Sequence, residues 1–226
     1  MKVEAVLEEL KALGDSRAIA VWKKLGMDTS RFYGVGLTPI HAYAKKLGRN
    51  HALAIALWDS GIFDARLLAT FVADPSLMSE ELIDRWVTDC TYWLLTDQFV
   101  SELVVKTPFA QARLETWTRS PDDHVRRAGW SLLESLAKSE TALANAWFIP
   151  YLAGIQRRLQ HEENWVKEAM NNALIAIGSR NPALKRTALG VATALGRVRV
   201  DYGDASCQAP DAVRALSGGR VQAGNR

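Results

Sequence analysis

The sequence predicts an all-α protein of antiparallel helix pairs, and three observations predict it. Apolar residues recur at helical spacing along nearly the whole chain, whereas alternating strand patterns are almost absent. Start and stop signals cut the chain into about a dozen segments. The linkers between segments are short, which folds each helix back on its neighbour. The alternation RVRVDY at 197–202 is too isolated to build a sheet.

Taken in order, the expected helices are 2–13, 16–25, 38–47, 51–60, 63–73, 79–89, 91–105, 108–118, 121–138, 140–159, 163–177 and 182–195. Gly14, Gly26, Gly48, Gly61, Gly178 and Gly196 fall where helices should stop. Thr38-Pro39, Thr107-Pro108, Ser120-Pro121 and Asn181-Pro182 each place a capping side chain before a proline at the first helical position. Asp122 and Asp123 put negative charge at the positive end of the helix that follows Ser120.

Helices this short cannot each bury a face alone, so the pairs must stack. A degenerate solenoid and a single irregular bundle both satisfy that requirement. The expected organisation is one domain over residues 1–196 and a loosely held tail over 197–226, where glycine and polar residues dominate.

The 226 residues are 48% hydrophobic and 23% charged, the composition of a globular chain and not of a disordered one. A net charge of +3 is mildly basic, so any nucleic-acid partner must be argued from where the charges sit. Cys90 and Cys207 lie far apart with no ligand spacing, and His41, His51, His124 and His161 are scattered. These counts argue against a disulfide scaffold, a metal site or a catalytic triad, and they fit a reducing cytoplasm. The amino terminus is no signal peptide, and no stretch approaches the roughly 20 apolar residues of a membrane span.

Three patterns could carry chemistry. Trp93 and Asp97 are four residues apart on one expected helix and share a face. A carboxylate beside an aromatic face suits a developing cation, one supplying charge and the other a quadrupole. A core tryptophan beside a solvated acid meets the same spacing, and the residues alone leave both open.

Arg126 and Arg127 form the second pattern. Adjacent residues point about 100° apart, so at most one faces a given groove. Trp130, four residues beyond Arg126, could support it by stacking, or the whole face could be solvated and balanced by Asp122, Asp123 and Glu134.

The third pattern is dibasic: Lys23-Lys24, Lys45-Lys46, Arg157-Arg158 and Lys185-Arg186. Such pairs either complement helix C-termini or line a surface that follows a phosphate backbone. The GVG tract at 34–36 is read as a turn between helix pairs in preference to a phosphate loop.

Five stretches in order resemble the AlkD-like DNA alkylation-repair family. GVGLTPIHAYAKKLG is similar to its early turn and helix, and HALAIALWDSGIFDARLLATFVADP to its LW-x-S-x-x-x-E-A-R helix pair, with Asp64 in place of glutamate. RWVTDCTYWLLTDQF resembles its W-x-x-D-x-x-S-W-D-x-x-D signature, with Tyr92 in place of serine and Leu94 in place of aspartate. HVRRAGWSLL resembles its R-R-A-G helix. NWVKEAMNNALIAIGSRN resembles its N-F-V-K-K-A-x-N-W-A-L-R-x-I-G-K-R-N helix. There Asn172 replaces a lesion-contacting tryptophan and Ile175 an arginine.

The resemblance covers about residues 30–200. It implies a curved α-solenoid of HEAT-like repeats that grips duplex DNA, needs no cofactor or metal, and acts as a monomer. The implied activity is excision of cationic N3- or N7-alkylated purines without a deep pocket for a flipped base. By position, Asp97 would stabilise the oxocarbenium-like sugar, Trp93 would pack on the cationic nucleotide, and Arg127 would lie beside the lesion. Arg126, Lys45, Lys46, Arg157, Arg158, Lys185 and Arg186 would meet phosphates. A non-catalytic duplex-DNA binder and a protein-interaction scaffold are the alternatives.

Overall fold

The computed structural model describes residues 2–24, 26–139, 142–203 and 207–218, and no strand occurs among them. The described helices are α1 Val3–Ala12, α2 Ser16–Lys24, α3 Leu37–Leu47, α4 His51–Asp59, α5 Phe63–Val72, α6 Glu80–Thr88 and α7 Trp93–Glu102. They continue with α8 Ala110–Trp117, α9 Asp123–Lys138, α10 Asn145–Arg158, α11 Asn164–Ser179, α12 Pro182–Leu195 and α13 Ala212–Leu216. Expectations for residues 25, 140–141, 204–206 and 219–226 fall outside the described residues.

Local chemistry accounts for several boundaries. The side chains of Asn50, Ser79, Asp122 and Asn181 accept N–H groups at the first turns of α4, α6, α9 and α12, at 3.0 to 3.2 Å. Pro182 opens α12, where its missing N–H costs nothing. Three of the four cap–proline starts move, and α8 begins at Ala110 instead of Pro108. Ser120 accepts from the N–H of Asp122 at 3.2 Å and Asp122 takes the capping role, so α9 begins at Asp123. Gly36, not Thr38, precedes the first residue of α3.

The chain divides into two compact units, one over Met1–Phe109 and the other from Ala110 through Tyr202 with α13. In the first unit α5 is central: it packs on α3, α4 and α7, and Leu67, Leu68 and Ala69 are fully buried. In the second unit α11 is central and packs against α9, α12 and α13.

Gly178 is not a helix stop. It lies inside α11, where an added Cβ would meet Leu216 at 2.6 Å and Ala188 at 2.7 Å. Lacking a side chain, it lets three helices approach closely.

Described residues after 196 are held by specific contacts. Val198 is buried, Asn164 and Asp201 exchange hydrogen bonds at 2.6 and 2.7 Å, and α13 buries Ala212 and Leu216. Apolar residues spaced for one short amphipathic turn are too few to stand out in a polar stretch.

Candidate nucleic-acid interface

In the first unit, Trp93 is the first residue of α7 and Asp97 follows one turn later. Both are half-buried. The loop that delivers them is fixed at both ends. On one side the Asp89 carboxylate accepts from the Trp58 indole at 2.7 Å and pairs with Arg66 at 3.0 Å. Trp58 in turn stacks on Trp86 with ring centroids 4.0 Å apart. On the other side the Tyr92 hydroxyl accepts the Asp28 N–H at 2.6 Å, and its ring packs edge-on against Phe32 and Phe63. Thr96 donates between the carbonyls of Cys90 and Tyr92, both at 3.1 Å. Arg66 and Tyr92 were not among the expected site residues. The aromatic at position 92, where the similar signature has serine, was the available signal.

The turn at 34–36 is a structural turn. Asp64, fully buried, accepts the N–H groups of Tyr33 and Val35 at 2.7 Å each. Burial raises the Asp64 carboxyl above its ordinary range, opposed by those backbone hydrogen bonds. Its amides therefore meet a carboxylate of the same chain, and not a phosphate.

In the second unit, Arg127 projects from α9 toward α11. It is 2% exposed, donates to the carbonyl of Trp165 at 2.6 Å, and pairs with Glu168 at 3.0 Å. Glu168 also accepts from the Tyr202 hydroxyl at 2.9 Å. Glu168 was missed by sequence reasoning, although it stands where the similar motif has lysine.

Arg126 and Arg158 were expected at phosphates, yet both pair with Glu162, at 2.9 and 2.5 Å. Arg158, and not Arg126, lies over the Trp130 ring, at 6.0 Å from its centroid. A shared acid that pairs two cations leaves less charge for a partner.

Lys45, Lys46, Arg157, Lys185 and Arg186 are exposed. Lys45, Lys46 and Arg157 sit in the last turns of α3 and α10, where the helix dipole favours cations. Lys46 has a loose partner in Glu9 at 3.6 Å. Lys185 and Arg186 sit near the start of α12, where the dipole gives no such reason for them. Neither has an ion-pair partner among the described residues.

A cleft of about 500 Å³ opens between the C-terminal halves of α9 and α11. Asn172 and Ile175 line it, together with Glu134, Lys138, Ser179 and Arg180, and among the described residues its lining holds no aromatic ring. Among the described residues no three His, Cys, Asp or Glu side chains gather to hold a metal ion, and no helix is long and apolar enough to cross a membrane.

A family model described as DNA alkylation repair enzyme matches residues 6–211. Uncharacterized proteins of Listeria monocytogenes and Listeria innocua are each 26% identical over 220 residues, covering 94% of both chains. A solved structure, 27% identical, superposes with a TM-score of 0.87 over 96% of this chain and 93% of its own. It represents a new family of proteins related to the HEAT-like repeat DNA glycosylases with affinity for branched DNA structures.

Proposed function

The chain belongs to the DNA alkylation repair enzyme family, and we propose that it binds DNA, prefers branched DNA, and does not excise bases. One observation carries this reading. At the two α11 positions where the family resemblance implies a lesion-contacting tryptophan and an arginine, the cleft presents Asn172 and Ile175. An amide and an aliphatic chain supply neither a π face nor a positive charge to a cationic nucleotide. The affinity for branched DNA of the structurally similar protein supports the substrate class. Exposed cations such as Lys185 and Arg186 support contact with phosphates.

The test pairs two measurements on the full chain. Titration with a four-way junction and with a linear duplex of equal length should show the junction bound more tightly. Incubation with DNA methylated at purine N3 and N7 should release no base above the protein-free rate. Equal affinities overturn the preference, and enzymatic release overturns the non-catalytic assignment.

A second reading, excision of N3- or N7-alkylated purines, is favoured by Trp93 and Asp97 standing one turn apart on α7. There the Asp97 carboxylate stabilises positive charge on the deoxyribose while Trp93 packs on the nucleotide. If base release is detected, Asp97→Asn should lower its rate by about 10²–10³, the loss of one preorganised charge. Release unchanged by that substitution places the chemistry elsewhere.

A further inference from the structure

The first unit contains the arginines Arg17, Arg31, Arg49, Arg66 and Arg85, and all but one are engaged within the chain. Arg17 pairs with Asp15 at 3.0 Å, Arg66 with Asp89 at 3.0 Å and Arg85 with Asp59 at 3.5 Å, while Arg49 donates to the carbonyl of Ala73. Arg31 is exposed, and its guanidinium has neither an ion-pair nor a hydrogen-bond partner among the described residues. It is nevertheless seated. Gly61, with φ at +68°, lies against it at the turn between α4 and α5, where an added Cβ would meet the Arg31 Nη1 at 2.5 Å and its Cζ at 3.4 Å.

The backbone beneath this side chain is fixed. The Arg31 carbonyl accepts the N–H of Phe63 at 3.0 Å, and the next residue, Phe32, stacks on the Phe63 ring with centroids 4.2 Å apart. Acceptors at the end of α4 are already taken. Ser60 donates to the carbonyls of Ala56 and Leu57, and Gly61 and Arg66 both donate to that of Trp58. The negative end of α4 thus favours a cation here without using up its N–H donors. Fixing a long side chain costs conformational entropy. For the other arginines an acceptor in the same chain offsets that cost, and for Arg31 none does.

We propose that Arg31 clamps a phosphate of a bound DNA strand at the turn between α4 and α5. A guanidinium presents its N–H donors in a planar fork that matches two phosphate oxygens. The surroundings suit that ligand. Asp59 and Asp89, the acids nearest in the chain fold, are each paired with another arginine and so repel a phosphate less. Phe32 packs edge-on against Tyr92, the residue before Trp93, so the turn borders the loop that delivers Trp93 and Asp97. A phosphate contact reads no bases, so the clamp serves junction and linear duplex alike. The inference rests on the DNA-binding part of the reading above and adds a residue and its ligand group.

The experiment measures the affinity of the full chain for a four-way junction and for a linear duplex across a salt series. Arg31→Ala should weaken both by about fivefold to tenfold near about 0.1 M salt, and should lower the slope of log affinity against log salt by about 0.9, the loss of one neutralised phosphate. Arg17→Ala removes an exposed arginine of the same unit that already has an acid partner, and should leave both slopes unchanged. Gly61→Ala keeps every charge but pushes the guanidinium off its seat, and should also cost affinity. A scan with single neutral methylphosphonate linkages should find a position that weakens wild type and leaves Arg31→Ala unaffected. An Arg31→Ala slope equal to that of wild type, or equal losses for Arg31→Ala and Arg17→Ala, overturns the clamp alone. Failure of wild type to bind either DNA overturns the DNA-binding reading and the clamp with it. Thermal melting checks that Gly61→Ala is folded, and Arg31→Ala, a change at an exposed side chain, decides the matter if it is not.

Discussion

Arg127 on α9 and Glu168 on α11 are paired at 3.0 Å, with side chains only 2% and 6% exposed. Such a pair owes little of its stability to Coulomb attraction after desolvation, but it is costly to break. Removing one partner leaves an uncompensated buried charge.

Arg127→Ala should therefore destabilise the fold by about 3–5 kcal/mol. Replacing both residues with apolar side chains of similar volume should cost much less than the single change. Urea unfolding of the two variants checks this. A single-variant loss below about 1 kcal/mol would place the guanidinium in solvent-like surroundings. A residue acting only beside a lesion would affect DNA first, whereas Arg127, buried against Glu168, should affect folding first.

Lys185 and Arg186 should show the opposite pattern. Both are exposed near the start of α12, so alanine at either should leave stability within about 0.5 kcal/mol. DNA affinity should fall alike for all sequences, and the slope of log affinity against log salt should shrink by about 0.9 per neutralised phosphate. An unchanged slope in both variants would remove these cations from the interface.

Asp64 predicts a pH dependence. Its folded carboxyl titrates above the ordinary value of 3.8, mainly because burial disfavours the charge. A raised folded value means that the group's contribution is fully present below 3.8 and is lost as pH rises through the higher, folded value. Asp64→Asn removes that titration. The stability advantage of wild type over Asp64→Asn should therefore be largest at the acid end and narrow toward neutrality, read from urea midpoints at each pH. An advantage that widens with pH would mean that the amides of Tyr33 and Val35 outweigh burial.

Glycines on neighbouring helices should respond with opposite signs. Gly178→Ala drives a methyl group to 2.6 Å from Leu216 and 2.7 Å from Ala188, a clash worth about 1–3 kcal/mol. Gly190→Ala, with nothing within 4 Å of the added carbon, should stabilise α12 by about 0.5–1 kcal/mol. Thermal melting of the two variants tests both. Equal shifts would refute the close approach of α11, α12 and α13.

The sequence by itself determined the helices α1 to α12, because their causes are local. Apolar spacing marked each buried face, and Asn50, Ser79 and Asn181 cap within three residues of themselves. The i,i+4 placement of Trp93 and Asp97 on α7 was equally legible, since four residues along a helix is one turn. What only the tertiary structure decided is which charges remain available. Arg126 and Arg127 are indistinguishable in their local sequence, yet their acids, Glu162 and Glu168, lie 36 and 41 residues away. The same is true of the Asp64 carboxylate, which meets amides 29 and 31 residues distant, and of Gly178, which reads as a helix end but packs as a helix contact. Helix formation depends on hydrogen bonds and side chains within a turn or two. Ion pairing and close packing depend on which surfaces the fold presses together, and no local pattern in the chain encodes that.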